Sequence, residues 1–388
     1  MIVVSEASPV VAPIRPYGGS LKAWGEMFVR NVSNDANSTQ RDISDRIISC
    51  SVTCKTDDDT PWTMSVVIEG HEILQGLQEF LAPVWVTEWR DAAGNIYRVR
   101  RQLGLFTALP PRREYSRNRQ ENTYEGRDLI WRVAQQTARR TVKIGYGIDT
   151  GEAAMRLIGD LDPHLRIRIP KSGVITGKIR TVRPADNLLV NMNELLDAGG
   201  FWKLHSDHTG AMSTAPATSL AGAEPDRIIS SELGDIFNTV TVEPDMSSFA
   251  NYVYLKSTAV DAVKAAKDGY IAQSTDPNDE FSIPRIGPYS FEIADSNDIT
   301  LEALKKRAQR ILERKSSVYT RIQLDVVPDP RFRQYSAWRL DIKTDDRITV
   351  AAPANWRVLE TTFTWGRGTS RPSQTVTLGK MASLQNVN

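Results

Sequence analysis

Two cysteines in 388 residues are too few for a disulfide framework, and their placement argues against even a single bridge. They fall in Ile48-Ser49-Cys50-Ser51-Val52-Thr53-Cys54, where apolar and small polar residues alternate with the period of a half-buried strand. Four residues along a strand separate the α-carbons by roughly 13 Å, about twice what a disulfide spans. As a CxxxC metal pair they lack a second pair of ligands at zinc spacing. An excess of one charge is missing too: 48 basic side chains face 47 acidic ones, for a formal charge of +1. A protein held on nucleic acid by bulk charge is far more basic, so any such binding here is local. No apolar run approaches the ~18 residues of a membrane helix. The start, Met1-Ile2-Val3-Val4-Ser5-Glu6, has neither a basic lead nor a cleavage site, so no signal peptide is expected.

The signatures of catalysis are absent as well. His71-Glu72 begins like the zinc helix HExxH, but Gln75 stands where the second imidazole belongs. Gly145-Tyr146-Gly147 has two glycines of a dinucleotide loop and lacks the third at its spacing. There is no GxxxxGK[ST] and no GxSxG. His205-Ser206-Asp207-His208 is the densest group of metal-ligand types, yet it reads as a hairpin turn in which Asp207 bonds its own backbone. Among 47 acids no carboxylate pair for glycoside hydrolysis stands out; Tyr115 and Tyr124, with Glu114, Glu121 and Glu125 nearby, are the best candidates for a sugar groove. No catalytic residue, cofactor-binding residue or metal ligand is therefore assigned.

What is present is strand pattern. From Ser20 to Pro111, short runs of alternating apolar residues are separated by turn signals. Lys55 to Pro61 is an acidic turn and Asp91-Ala92-Ala93-Gly94-Asn95 a hairpin loop. The middle third changes period. Asp128 caps a helix through Leu129, Ile130 and Val133, and Asp149 caps another through Ala154, Leu157 and Ile158. Pro184 opens a third helix, which Gly199-Gly200 stops, and Phe201 to Leu204 makes a strand. Ser213 to Glu224, rich in Ala, Ser and Thr, reads as a linker. Strands return from Ile229, interrupted by an amphipathic helix capped by Thr300, with Leu301, Leu304, Ala308, Ile311 and Leu312 on one face. No repeat is detectable by sequence identity. The expected organisation is an extension at 1–19, a first β-barrel domain at 20–145, an α+β insert at 146–228 and a second β-barrel domain at 229–388 that carries the amphipathic helix. The fold class is thus mainly β with an α+β insert.

One local charge excess runs from Arg98 to Lys143, with twelve Arg or Lys against four acids. Arg112, Arg113, Arg117 and Arg119 are interleaved with Tyr115 and Tyr124, a mixture able to hold phosphates and stack bases. The competing reading, preferred because the rest of the chain has no basic excess, is a protein interface.

The order of these segments carries a resemblance. Gly104 to Pro110 is followed by Tyr124 to Leu129; then come Leu195-Leu196-Asp197-Ala198-Gly199-Gly200, Asn238 to Val242, and Ala308 to Leu312 running on to Val326-Val327-Pro328-Asp329-Pro330. This succession resembles the baseplate or tail-tip hub proteins of tailed bacteriophages. It is also similar to the late control protein D group and the hub portion of type VI secretion spikes. The resemblance implies a non-enzymatic minor tail protein of the virion, assembled in the host cytoplasm and located at the tail tip. It implies a homotrimer whose six barrels match a sixfold tail tube on one side and a threefold tip on the other. The implied partners are distal tail and tail-tube proteins, tip, spike or fibre proteins, the tape-measure protein and, transiently, DNA ejected through the channel. A tail-associated carbohydrate-binding or glycan-hydrolysing protein is the first alternative, and a nucleic-acid-binding protein using Arg98 to Lys143 the second.

Overall fold

The computed structural model describes residues 2–3, 21–31, 40–56, 58–70, 79–116, 119–158, 166–177, 179–217, 224–231, 236–244, 249–259, 262–279, 281–295, 300–317, 320–330, 334–344, 348–368 and 371–380. His71-Glu72, Arg117, the extension apart from residues 2–3, and residues 218–223 of the linker lie outside them. The chain is mainly β, with large antiparallel sheets and a few helices.

The strand Ile47–Lys55 places Cys50, Val52 and Cys54 on one buried face, as the alternation requires. It pairs with Trp62–Glu69 on one side, so that Val52 lies opposite Met64. Its other side meets a strand more than 300 residues away in sequence. The last six residues of Ile348–Trp365 pair with it from Glu360↔Lys55 to Trp365↔Cys50. Earlier residues of that same long strand pair with Ala337–Thr344, and its second half, Trp356 to Thr364, lies along Ser373–Lys380. The two strand-rich blocks are therefore continuous in a single sheet, with one apolar core extending from Met27 and Val52 to Leu324, Phe363 and Leu378.

Trp85 anchors the seam. Its ring lies 5.1 Å from Phe363 and 5.8 Å from Trp365, and Trp365 occupies the space where a side chain on Gly25 would stand. The Trp85 indole donates to Thr87 Oγ1 at 3.0 Å, and Thr87 donates in turn to the Pro328 carbonyl at 3.0 Å. A buried polar pair is thus satisfied by the Pro-Asp-Pro strand end of the other block.

The insert's core reaches back into the first block, from Phe80 and Leu129 through Leu157, Leu196 and Met212. Asp128 and Asp149 cap helices Leu129–Ala134 and Thr150–Leu157, as expected. The third helix begins later than expected: Pro184 lies in the preceding turn, Asn187 is the cap, and the helix is Leu188–Ala198. Its entry turn is closed by the Asp186 carboxylate, which accepts from Arg183 N at 2.7 Å.

 The expected strand at Phe201 to Leu204 is displaced as well. Phe201 makes only an isolated bridge to Pro216, and the pairing residues are His205–Ser206, because the Leu204 amide is taken by the Asn193 side chain at 2.9 Å.

The insert also contains a duplication that sequence identity does not reveal. Lys143 pairs with Thr181 at the centre of the ladder between Val142–Ile144 and Arg180–Val182, and that offset of 38 residues (143 to 181) recurs throughout. It relates the caps Asp149 and Asn187, and the left-handed residues Gly147 (φ 76°) and Ala185 (φ 75°). It also relates backbone bonds: Thr176 N to Ile148 O (2.7 Å) matches Ala138 N to Asp186 O (3.0 Å), and Thr150 N to Val174 O (2.9 Å) matches Leu188 N to Gln136 O (3.3 Å). Each half supplies the extended segment that satisfies the other half's turn. The repeat escapes the sequence because equivalent positions share backbone roles rather than residue types.

The amphipathic helix is Leu301–Ser317, and its stripe is buried as the spacing predicts. The expectation that it packs on a second barrel is corrected. Leu304, Ala308, Ile311 and Leu312 close a separate core with Val253, Leu255 and Ala272 of a three-stranded sheet, Tyr270–Gln273, Tyr252–Ser257 and Ser290–Asp295. Among the described residues no helix is long and apolar enough to cross a membrane.

Candidate functional site

The basic segment is dispersed by the fold. The strand Ile96–Gln102 sends Arg98 to Glu88 (2.6 Å) and Arg100 to Glu26 (2.9 Å), while Arg101 donates to His208 Nδ1 at 3.2 Å. The acids that neutralise it, Glu88 and Glu26, lie outside the segment, so a local count overstated the excess. Tyr124 is 1% exposed and packs in the core, so it stacks neither bases nor sugars. What projects is the strand Arg112–Ser116, paired with Arg119–Asp128 and exposed at every residue. Tyr115 is 70% exposed there, but Arg112 pairs with Glu114 at 3.0 Å, and Glu114 lies opposite Glu121. Its surface is mixed in charge rather than a phosphate track.

The His205 to His208 segment forms the expected turn. Asp207 Oδ1 accepts from Thr209 N (2.8 Å) and Ala211 N (3.0 Å). His205 points away from it, edge-on to Tyr335, and burial holds its imidazole below the ordinary value. Among the described residues no group of three or more His, Cys, Asp or Glu is placed to hold a metal ion. Gly145 to Gly147 is a turn that leads into the Thr150–Leu157 helix.

Two seams hold buried charged side chains, and neither was legible beforehand. At the first, the Trp202 ring stacks on Tyr335 at 4.5 Å, and the Arg357 guanidinium, 1% exposed, lies 4.5 Å over the other ring partner, Trp202. Lys203 reaches Asp59 at 2.8 Å. The insert is thereby tied to both strand blocks. At the second, Asp197 at the end of Leu188–Ala198 meets Arg307 (3.0 Å) and Arg314 (2.8 Å), and Arg310 donates to its carbonyl at 2.8 Å. Burial pushes the Asp197 carboxyl up, but Arg314, Arg307 and Arg310 outweigh it and hold it below its usual value. A carboxylate at a helix C-terminus opposes the dipole, so these three arginines, spaced along one helix face, are what make the position tolerable. In the sequence, Arg310 and Arg314 read only as dipole complements of their own helix.

No protein-family model matches the chain, and no curated protein matches it in sequence. Solved structures do. The tail protein from Neisseria meningitidis MC58 aligns over 92% of this chain and 97% of its own length, with a TM-score of 0.62 and 13% identity. The 43 kDa tail protein of prophage MuSo2 from Shewanella oneidensis aligns over 91% and 98%, with a TM-score of 0.57 and 10% identity. The chain shares the fold of these two tail proteins. A Francisella PdpA–VgrG complex matches 95% of this chain but 54% of its own, with a TM-score of 0.54 and 9% identity. Within the tail-protein fold, the polar clusters described above sit at joints between units, where they fix the units relative to one another.

Proposed function

We propose that the chain is a structural, non-enzymatic component of a phage tail tip or baseplate, in which three copies close into a ring around the channel used by DNA and the tape-measure protein. The observation that carries this reading is the pairing of Glu360–Trp365 with Cys50–Lys55. It holds two strand-rich blocks, proposed as domains at 20–145 and 229–388 on either side of the insert at 146–228, in one rigid sheet. Three chains then offer six such blocks to a sixfold tail tube and a threefold face to a tip, spike or fibre protein. The strand Ile236–Pro244 pairs on one side only, with Thr320–Val326, among the described residues. Such an edge needs a neighbour to cover it. The proposed location is the tail tip of the virion, after assembly in the host cytoplasm. The buried Tyr124 and the paired Arg98 and Arg100 favour neither the glycan nor the nucleic-acid alternative. Imaging of assembled tails tests the proposal: three copies per ring, with the two blocks superposing on one another, are expected, and six copies per ring would refute it.

A further inference from the structure

Tyr146, Ile175 and Ile179 are 53%, 42% and 67% exposed. The fold draws them together. Gly147 N donates to Thr176 O (3.0 Å) and Thr176 N to Ile148 O (2.7 Å), which knits their two turns; Ile179 precedes Arg180, the partner of Ile144. The duplicated half serves as an internal control. Shifted by the same 38 residues as the 143 to 181 pair, the equivalent positions are Pro184, Thr137 and Thr141. The backbone is satisfied there without large apolar side chains, so their clustering in one half alone marks a contact surface.

Its charge points to the occupant. Exposed Lys143 and Lys171 flank the three residues, while the nearby Asp149 carboxylate is consumed by Gly151, Glu152, Ser172 and Gly173 amides. Residues 139–183 carry ten Arg or Lys and four acids, and even with Arg156 paired to Glu152 and Arg180 to Glu194 the stretch stays basic, whereas residues 249–299 carry four and eight. That acidic stretch contains the three-stranded sheet. Tyr254 pairs with Ile271 on one side and Glu292 on the other, so the three share a face. The opposite face, with Val253, Leu255 and Ala272, is the one buried against Leu301–Ser317. Ile271 is 42% exposed, and Glu292 is exposed.

We propose that the apolar, basic tip at Tyr146, Ile175 and Ile179 seats on the open Ile271–Tyr254–Glu292 face of a second copy of this chain. The contact joins two different surfaces, so it is head-to-tail and propagates until a ring closes. The inference rests on the ring reading above and names the surfaces that form it.

Site-directed cross-linking tests it with the full chain. Ile179→Cys and Ile271→Cys are made separately; the native thiols at Cys50 and Cys54 are buried and do not compete. Mild oxidation of the mixed variants, concentrated in solution and incorporated into tails, is expected to yield a disulfide-linked adduct that neither variant forms alone. Ile175→Thr, which installs the residue of the duplicated half, is expected to lower the yield at limiting concentration by about tenfold, the weight of a buried interface anchor. Glu292→Lys is expected to weaken the adduct, and adding Lys143→Glu to the other partner to restore it. An Ile179→Cys adduct with itself, or no mixed adduct in tails where copies adjoin, overturns the contact and leaves the tail reading standing. Tails in which copies of this chain do not adjoin at all overturn the contact and the ring together.

Discussion

Asp128 offers a direct test of how the first block is joined to the insert. It ends the strand Arg119–Asp128 and is 1% exposed. Its Oδ1 accepts from Trp131 N at 3.2 Å and its Oδ2 from Ser206 Oγ at 3.0 Å. Burial pushes the carboxyl up from 3.8 to about 7, against the opposing pull of Ser206 and the backbone amides of Trp131, Trp62 and Ile130. Between those two values the folded chain holds a proton that the unfolded chain has released, so stability falls as pH rises, by up to ~1.4 kcal/mol per unit. Over the whole window the loss amounts to about 4 kcal/mol. Asp128→Asn keeps an oxygen for the Trp131 amide and has no charge to desolvate. Urea unfolding followed by tryptophan fluorescence, from about pH 5 to about pH 8, reads the difference. The variant is expected to exceed the native chain by a small margin at the acid end, by a growing margin up to about pH 7, and by a constant one above it. Parallel curves at every pH would refute the reasoning, because they would mean that the carboxylate ionises in the fold without cost.

Leu304 is fully buried in the core between the helix and the three-stranded sheet, so Leu304→Ala is expected to cost about 2–5 kcal/mol; a loss below ~0.5 kcal/mol would place it at the surface. Gly25→Ala would set a methyl 2.1 Å from the Trp365 ring, and the displaced indole is expected to destabilise the seam by roughly 1–3 kcal/mol, or more if the strand itself shifts, as read by thermal unfolding. Cys50 and Cys54 are buried, and burial pushes both thiols up, so native alkylation at neutral pH is expected to leave them unlabelled and alkylation after non-reducing denaturation to label two; a Cys50–Cys54 bridge would overturn the strand geometry. Asp197→Asn is expected to destabilise the joint to Leu301–Ser317 near neutral pH and to flatten its acid transition. The native Asp197 carboxyl lies below its ordinary value, so its contribution is present above the unfolded value and lost as pH falls through the folded one.

Local pattern was enough for the Cys50 to Cys54 strand, the caps at Asp128 and Asp149, the Asp207 turn and the stripe from Leu301 to Leu312, because each depends on neighbours within a few residues. The order of such segments also sufficed for the resemblance to tail proteins. Partnerships over long separations were not legible. Which surface the Leu301–Ser317 helix covers, that Glu360–Trp365 joins Cys50–Lys55, and that Arg307, Arg310 and Arg314 converge on Asp197 all depend on where distant elements dock. The basic count from Arg98 to Lys143 misled for the same reason, since Glu26 and Glu88 lie outside that window and beside those arginines only in the folded sheet. The duplicated halves of the insert were hidden because left-handed turns, caps and cross-padding bonds constrain the backbone and leave side chains such as Tyr146 and Pro184 free to differ. Sequence determined the elements; only tertiary contact decided their partners, because pairing energy is collected between surfaces that the chain brings together after the local choices are made.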